Sequence, residues 1–141
     1  METKARVLVV DDEERFRKTL IRLLQESGFQ VDGAPDGLAA LEKLEDGDFD
    51  VVLLDMKMPG LSGEETLQKI LEQNHDVEII CLTGHVSAED VIKNIRHGAF
   101  DYLLKPASIP EILKAVQQAL NRKLLRNGQI GIHDLLTSHG D

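Results

Sequence analysis

The sequence lacks the features that mark several common classes of protein. It has no tryptophan and a single cysteine, Cys81, so no disulfide can form within the chain, which fits a reducing compartment. Cys81 falls inside an apolar run and is interpreted as a small core residue. No apolar run approaches the roughly 20 residues that a membrane-spanning helix needs, and the first residues, METKAR, have no hydrophobic segment of a secretion signal. We therefore expect a cytoplasmic location.

Positive charge is also scarce. The chain has 16 Lys and Arg against 25 Asp and Glu, which gives a net charge of −9. Such a surface repels the phosphates of nucleic acids and of anionic membranes, so we expect direct binding to neither. A length of 141 residues, of which 42% are hydrophobic, predicts one domain with a sizeable core.

Short apolar runs alternate along the chain with helical patterns. Four runs are typical of buried parallel strands: Val7–Val10, Val51–Leu54, Val77–Leu82 and Phe100–Leu104. A shorter one, Phe29–Ala34, is broken by polar residues and is interpreted as an edge strand. Between them apolar residues recur with helical spacing, for example at Phe16, Leu20, Leu23 and Leu24, and at Leu38, Leu41 and Leu44. Five β-α units in succession predict an α/β fold, a doubly wound five-stranded parallel sheet with right-handed crossovers and helices on both faces.

Polar and glycine residues mark where the predicted helices begin and end. Three pairs have the spacing of a capping box, and one aspartate fits the start of the second helix: Ser62 with Glu65, Ser87 with Asp90, Ser108 with Glu111, and Asp36. Four glycines are predicted to follow helix ends: Gly28, Gly47, Gly98 and Gly128. Residues 1–126 are predicted to form the domain, and residues 127–141 are interpreted as a C-terminal tail.

Polar side chains follow the predicted strands at the edge of the sheet where open α/β folds bind ligands. Asp11 and Asp12 follow the first strand, Asp55 the third, Thr83 the fourth and Lys105 the fifth. If these strands are neighbours, the five residues converge on one edge.

Clustered carboxylates need a compensating cation, because two of them about 4 Å apart repel by roughly 4 kcal/mol at an effective dielectric constant of about 20. Oxygen donors alone favour a hard ion such as Mg2+, which usually takes one or two carboxylates together with waters and phosphate oxygens. Carboxylates can also accept phosphoryl groups. Asp55, beside a metal and the Lys105 ammonium, is therefore interpreted as a phosphoryl acceptor, and Thr83 as a hydrogen-bond partner of the product.

Ordinary structural roles are open to each of these residues taken alone. Glu13 and Glu14 fit the first turn of a helix, where they complement its dipole. Asp11 or Asp12 could be the N-cap of that helix, and Asp55 could cap a helix or turn. The functional reading is favoured because all the candidates fall at strand ends that hydrophobicity alone defines.

Four segments resemble the receiver domain of two-component response regulators. They are Val9–Asp12 (VVDD), Leu53–Gly60 (LLDMKMPG), Leu82–Gly84 (LTG) and Asp101–Pro106 (DYLLKP), and the resemblance covers about residues 5–122. It implies a flavodoxin-like (βα)5 fold with the strand order 2-1-3-4-5 known for this family.

The resemblance also implies a role for the acidic residues. Asp55 would accept a phosphoryl group from a sensor histidine kinase or a phosphotransfer protein. The Mg2+ cofactor would be bound by Asp12 directly, by Asp11 through a water, by Asp55, and by the backbone carbonyl of Lys57. The side chains of Lys57 and His85 lie where the lifetime of the phosphoaspartate is tuned in this family.

Three further residues have implied roles in signalling. Lys105 would pair with Asp55 and then with its phosphate, and the bond from Lys105 to Pro106 is usually cis. Thr83 would move toward the phosphate, and Tyr102 would rotate inward behind it. Together they would pass the signal to the face formed by the fourth predicted helix, the fifth strand and the fifth helix.

The predicted function is a signalling switch that catalyses only its own phosphorylation and dephosphorylation, and so is not an enzyme with a separate substrate. A scaffold of the same fold would tolerate loss of Asp12, Asp55 or Lys105, and all are present. Haloacid-dehalogenase-like phosphatases need a second aspartate two residues after the nucleophile, where this chain has Lys57. An FMN carrier needs an uncharged phosphate loop after the first strand, but Asp11–Glu14 would repel the phosphate.

The expected partners are the kinase and either a downstream protein or an output domain outside this sequence. Leu124 and Leu125 extend the apolar stripe of the last predicted helix. They are compatible with local packing, with a linker, or with a contact to a second subunit that would form a homodimer.

Overall fold

The computed structural model describes residues 5–58, 60–73, 76–84 and 98–131. Within them, five strands form one parallel sheet in the order β2-β1-β3-β4-β5. The strands are β1 Arg6–Val10, β2 Gln30–Ala34, β3 Val51–Asp55, β4 Glu78–Thr83 and β5 Asp101–Leu104. The predicted α/β class, the parallel sheet and the strand order are confirmed.

The described residues include four helices. They are α1 Glu14–Glu26, α2 Gly37–Asp46, α3 Gly63–Glu72 and α4 Ile109–Arg126, of which α4 is the last helix predicted from the sequence. The helix predicted between β4 and β5, with its Ser87 and Asp90 capping pair, lies outside the described residues, as does the tail beyond residue 131. No helix of the described ranges is long and apolar enough to cross a membrane.

Two hydrophobic clusters cover the two faces of the sheet. Alternate strand residues such as Leu8 and Leu54 pack with α2 and α3 on one face, whereas Val9 and Leu53 pack with α1 and α4 on the other. Every residue of β3 is buried, as expected for a central strand covered on both faces. The sheet therefore holds the end of β3 firmly in place.

The apolar face of α2 differs from the prediction. Leu41 and Leu44 are buried as expected, but Leu38 is 64% exposed, and Ala40 takes the core position instead. A helix has about 3.6 residues per turn, so leucines spaced every three residues drift around its surface. The face that reaches the core follows the spacing of Gly37, Ala40, Leu41 and Leu44.

The helix starts follow the predicted capping residues where they are described. The Asp36 carboxylate accepts from Ala39 N at the start of α2, and Ser62 with Glu65 forms a reciprocal capping box at the start of α3. Ser108 Oγ accepts from Glu111 N at the start of α4. These caps satisfy backbone N–H groups that have no partner within the helix.

Charged residues also fix the end of α4 near the amino ends of the strands. The candidate site lies at the other side of the sheet, at the carboxyl ends of the strands. Lys123, only 8% exposed, donates to Asp50 Oδ1 at 2.7 Å and to the Phe49 carbonyl at 3.3 Å. Arg126 pairs with Asp76 at 2.6 Å and with the buried Glu78. The last turns of α4 therefore have a fixed position against the loops that precede β3 and β4.

Candidate functional site

Asp55 is the last residue of β3 and lies opposite Leu82 in the register with β4. Its neighbour Met56 still donates to the Leu82 carbonyl at 2.9 Å, so the main chain is held on both sides of the carboxylate. The carboxylate itself accepts from Lys57 N at 3.1 Å. Asp55 is 5% exposed and therefore presents a buried acid in a fixed position.

The loop between β1 and α1 carries the other two acids. Asp11 N donates to the Ala34 carbonyl at 3.1 Å, and Asp11 Oδ1 accepts from Glu13 N at 2.9 Å. The Asp11 carbonyl accepts from Arg17 Nη1 at 2.8 Å. Asp11 is buried by these contacts, whereas Asp12 is exposed. The loop thus presents one carboxylate that is tied into the fold and one that faces solvent.

Lys105 follows β5 and brings a positive charge to the same edge. Its main-chain N–H donates to the Thr83 carbonyl at 2.6 Å, which continues the pairing of β4 with β5. Its ammonium lies 2.8 Å from Asp11 Oδ2, 3.8 Å from Asp55 Oδ1, and 4.5 Å from the centroid of the Phe16 ring. The nearer carboxylate is that of Asp11.

The three acids form one cluster. Asp11, Asp12 and Asp55 each offer a carboxylate oxygen, and these oxygens all lie within 4.8 Å of one another. Burial, together with the negative charges of Asp11 and Asp12, raises the pKa of Asp55 to about 6 against the opposing effects of the Lys57 N–H and the Lys105 ammonium. The cluster therefore holds more negative charge than the lysine compensates, and its oxygen donors fit a hard divalent cation.

The remaining candidates lie on the strands and loops where the sequence places them. Thr83 is the buried last residue of β4, and Lys57 is exposed in the loop after β3. Tyr102 lies on β5 opposite Cys81, is partly buried, and packs against the cluster that contains Cys81. The bond from Lys105 to Pro106 is cis. His85 lies outside the described residues.

The structure shows the positions of the acidic residues for which the sequence also allowed a purely structural role. Glu13 is the N-cap residue of α1, but its side chain makes no capping hydrogen bond. Glu14 is exposed in the first turn and pairs with Lys18 at 2.7 Å. Asp11 stabilises the start of α1 through Glu13 N, so it combines a structural contact with its place in the acidic cluster.

Two residues that contact the site were not predicted from the sequence. Phe16 was assigned to the core face of the first helix, and Arg17 was given no role. Both lie near the start of α1, which begins at the edge that carries the acids. Their position shortly after Asp12 is the signal in the sequence that could have indicated them.

Comparison with known proteins identifies the family. The model of the response regulator receiver domain matches residues 7–117. The chain therefore belongs to the receiver domains of two-component response regulators, and the resemblance drawn from its motifs is confirmed.

Similar proteins include both longer regulators and isolated domains. Regulatory protein AtoC of Escherichia coli (strain K12) is 32% identical over 94% of this chain and 29% of that protein. The crystal structure of a response regulator receiver domain protein from Clostridium thermocellum has a TM-score of 0.81 and 36% identity, and the match covers 86% of this chain and 98% of that one. Response regulator protein TrrA from Thermotoga maritima, in complex with Mg(2+)-BeF, has a TM-score of 0.74 and 37% identity over 82% of this chain and 99% of that one. The chain spans between 24% and 56% of the length of the first curated relatives that it matches.

Proposed function

We propose that this chain is a phospho-accepting switch of a two-component phosphorelay, in which Asp55 takes a phosphoryl group from a sensor histidine kinase or a phosphotransfer protein. The observation that carries this proposal is the acidic cluster of Asp11, Asp12 and Asp55, whose oxygens lie within 4.8 Å of one another beside the Lys105 ammonium. A carboxylate fixed at a strand end between acids and a cation is suited to nucleophilic attack on a phosphoryl group.

We assign Mg2+ binding to Asp11, Asp12, Asp55 and the backbone carbonyl of Lys57. The excess negative charge of the cluster and its oxygen donors support this assignment. When bound, the ion would supply neutralising charge for the oxygens of the transferring phosphoryl group. The complex of the similar protein TrrA with Mg(2+)-BeF agrees with this choice of ion.

The transfer step uses the chain's own residues as follows. An Asp55 carboxylate oxygen forms a bond to phosphorus while the bond from phosphorus to the donor nitrogen breaks, and the electron pair of that bond stays on the nitrogen, which takes up a proton. The Lys105 ammonium, 3.8 Å from Asp55 Oδ1, lies close enough to pair with the charge of the product. We propose that Thr83 forms a hydrogen bond with the new phosphate. Attack of water on the phosphoaspartate would then return the free carboxylate and release phosphate.

The signal is proposed to pass through Thr83 and Tyr102 to the face formed by the predicted helix between β4 and β5, by β5 itself and by α4. The register pairs Cys81 with Tyr102, and side chains two residues apart on a strand share a face. Thr83 and Tyr102 therefore point to the same side of the sheet on adjacent strands, which supports a direct relay between them.

The receiver domain is assigned to residues 1–126, and residues 127–141 are assigned to a tail; the end of α4 at Arg126 supports this division. The output is proposed to be a downstream protein or a further domain, as the greater length of the curated relatives favours. A homodimer is a further candidate, supported by Leu125, which is exposed in the last turn of α4.

The proposal is tested by the intact mass of the protein incubated with acetyl phosphate, with and without Mg2+. We expect a gain of one phosphoryl group that requires Mg2+, is lost in Asp55→Asn, and persists in Asp48→Asn, which removes an exposed carboxylate before β3. No gain by a protein that binds Mg2+ would indicate chemistry that needs a kinase. No gain together with no Mg2+ binding would contradict the proposal and favour a scaffold.

A further inference from the structure

The side chain of Lys105 has to deliver its ammonium to the acceptor site through a flexible stem. The main chain at Lys105 is fixed because its N–H donates to the Thr83 carbonyl at 2.6 Å. The stem has four rotatable carbons, and the side chain is 22% exposed, so solvent competes for the ammonium. A contact at the end of the side chain is therefore needed to restrict the position of the ammonium.

Two carboxylates and one aromatic ring surround that ammonium. The carboxylates belong to Asp11 and Asp55, at 2.8 Å and 3.8 Å. The ring belongs to Phe16, whose centroid lies 4.5 Å from Lys105 Nζ, within the range at which a ring attracts a cation. The ring differs from the carboxylates because it attracts the ammonium without carrying a competing negative charge.

Phe16 is itself held in place. It is the third residue of α1, is partly buried, and packs against the hydrophobic cluster that contains Leu20 and Val9. The start of α1 is joined to the acidic loop by the bonds from Glu13 N to Asp11 Oδ1 and from Arg17 to the Asp11 carbonyl. The ring is thus fixed relative to the same loop that carries the acids.

We propose that Phe16 is a positioning residue that keeps the Lys105 ammonium at the acceptor site through contact with its ring. The inference rests on the proposed function of Asp55 as phosphoryl acceptor. With the ring in place, the ammonium stays within reach of Asp55 and of its phosphorylated form and does not turn out into solvent. Without the ring, a larger share of molecules has the ammonium displaced, and transfer slows.

The test compares Phe16→Leu, which keeps an apolar side chain, with Phe16→Tyr, which keeps a ring. Phe29→Leu is the matched control. Phe29 is also partly buried and packs against the same hydrophobic cluster, but it precedes β2 and so lies at the amino ends of the strands, opposite the acidic cluster. The measurements are the rate of phosphoryl gain from acetyl phosphate at saturating Mg2+, the thermal midpoint, and the NMR shift of the Lys105 ε-methylene protons, which a nearby ring moves upfield.

We expect Phe16→Leu to slow phosphoryl gain by about two- to fivefold and to abolish the upfield shift. Phe16→Tyr should retain both the rate and the shift. Phe16→Leu and Phe29→Leu should lower the thermal midpoint by similar amounts, but Phe29→Leu should leave the rate of phosphoryl gain unchanged. In a Lys105→Ala background, Phe16→Leu should cause no further loss of rate, because the contact through which it acts is already absent.

Three results would overturn the inference: a rate for Phe16→Leu equal to that of Phe29→Leu, an equal slowing in the Lys105→Ala background, or no ring-induced shift in the wild type. Failure of the proposed function is recognised separately. A wild type that gains no phosphoryl group and binds no Mg2+, yet shows a shift that Phe16→Leu removes, would leave the ring contact standing and reject the proposed function of Asp55.

Discussion

The Lys105 ammonium lies 2.8 Å from Asp11 Oδ2 and 3.8 Å from Asp55 Oδ1, so its shorter contact is with Asp11 and not with Asp55, the proposed acceptor. Burial raises the pKa of Asp55 to about 6, and the Lys105 ammonium compensates the charge of this carboxylate only in part. A further cation that enters the cluster would therefore stabilise the charged form of Asp55.

Stability should depend on pH through Asp55. An unfolded aspartate has a pKa near 3.9, whereas the pKa of Asp55 in the folded protein is about 6. The folded state therefore binds the Asp55 proton more tightly. The stability that this protonation contributes is lost as the pH rises from about 4 to about 6. Asp55→Asn avoids that loss. In metal-free buffer we expect the variant to match the wild type at about pH 4 and to exceed its free energy of unfolding by roughly 3 kcal/mol at about pH 7.

Urea unfolding of both proteins across this range measures the difference. Asp48→Asn, which changes an exposed carboxylate, should follow the wild type throughout. A gap between Asp55→Asn and the wild type that stays constant with pH would show that the charge of Asp55 is not its cause.

Mg2+ should bind through the acidic cluster and stabilise the folded state by mass action. Asp12→Asn removes the exposed carboxylate of the cluster, and we expect the affinity for Mg2+ to fall by about tenfold or more, because one unit of negative charge is lost beside the ion. Isothermal titration calorimetry measures the affinity, and EDTA should return the thermal midpoint of the wild type to its metal-free value. Glu14→Gln removes a nearby exposed carboxylate outside the cluster and should leave the affinity unchanged; equal losses in the two variants would contradict the assignment.

Gly63 allows α3 to begin directly against the loop that follows Asp55. A Cβ at this position would lie 2.4 Å from Met56 Cα, a main-chain atom that no side-chain rotation can move aside. Gly63→Ala should therefore cost about 2 kcal/mol in the free energy of unfolding and weaken Mg2+ binding by displacing the loop of Lys57. Gly84→Ala is the control, because no atom of the residues that the structure describes lies within 4 Å of its added Cβ. Unfolding by urea that is equal in both variants would refute the steric explanation.

Lys123 should matter for stability and not for phosphorylation. Its loss in Lys123→Met leaves the Asp50 carboxylate and the Phe49 carbonyl without a charged donor in a largely buried position, so we expect a cost of about 2 kcal/mol. The rate of phosphoryl gain should equal that of the wild type, because this contact lies at the opposite edge of the sheet. Lys114→Met, at an exposed position of the same helix, should change stability by less than about 0.5 kcal/mol. A slowed rate in Lys123→Met would show that the two edges are coupled.

The placement of the acids was predictable because it depends on strand ends. An apolar run that stops at Asp55 defines a buried strand with a carboxylate at its end, and β3 ends at that residue. The same rule brought Asp11 and Lys105 to one edge. The order of the strands came from the resemblance to a known family and not from the apolar pattern, because the pattern alone does not say which strands are neighbours.

The contacts of Phe16 and Arg17 were not predictable in the same way. Helical spacing indicates that Phe16 faces the sheet, but its distance from Lys105 depends on where α1 crosses the strand ends. Arg17 binds a main-chain carbonyl, a partner that side-chain patterns do not reveal. The exposed Leu38 shows the same limit for packing, since a stripe of leucines does not fix the rotation of a helix about its axis.

Cys81 allows the rate at which the sheet opens to be measured. Its thiol is buried in β4, and burial raises its pKa to about 12, so the folded protein presents almost no reactive thiolate. A thiol-directed reagent can modify it only in molecules whose central strands have separated. Because the sequence contains no other cysteine, the labelling rate in ordinary buffer reports how often β4 separates from its neighbouring strands. The same rate can be compared with and without the phosphoryl group proposed for Asp55 on β3.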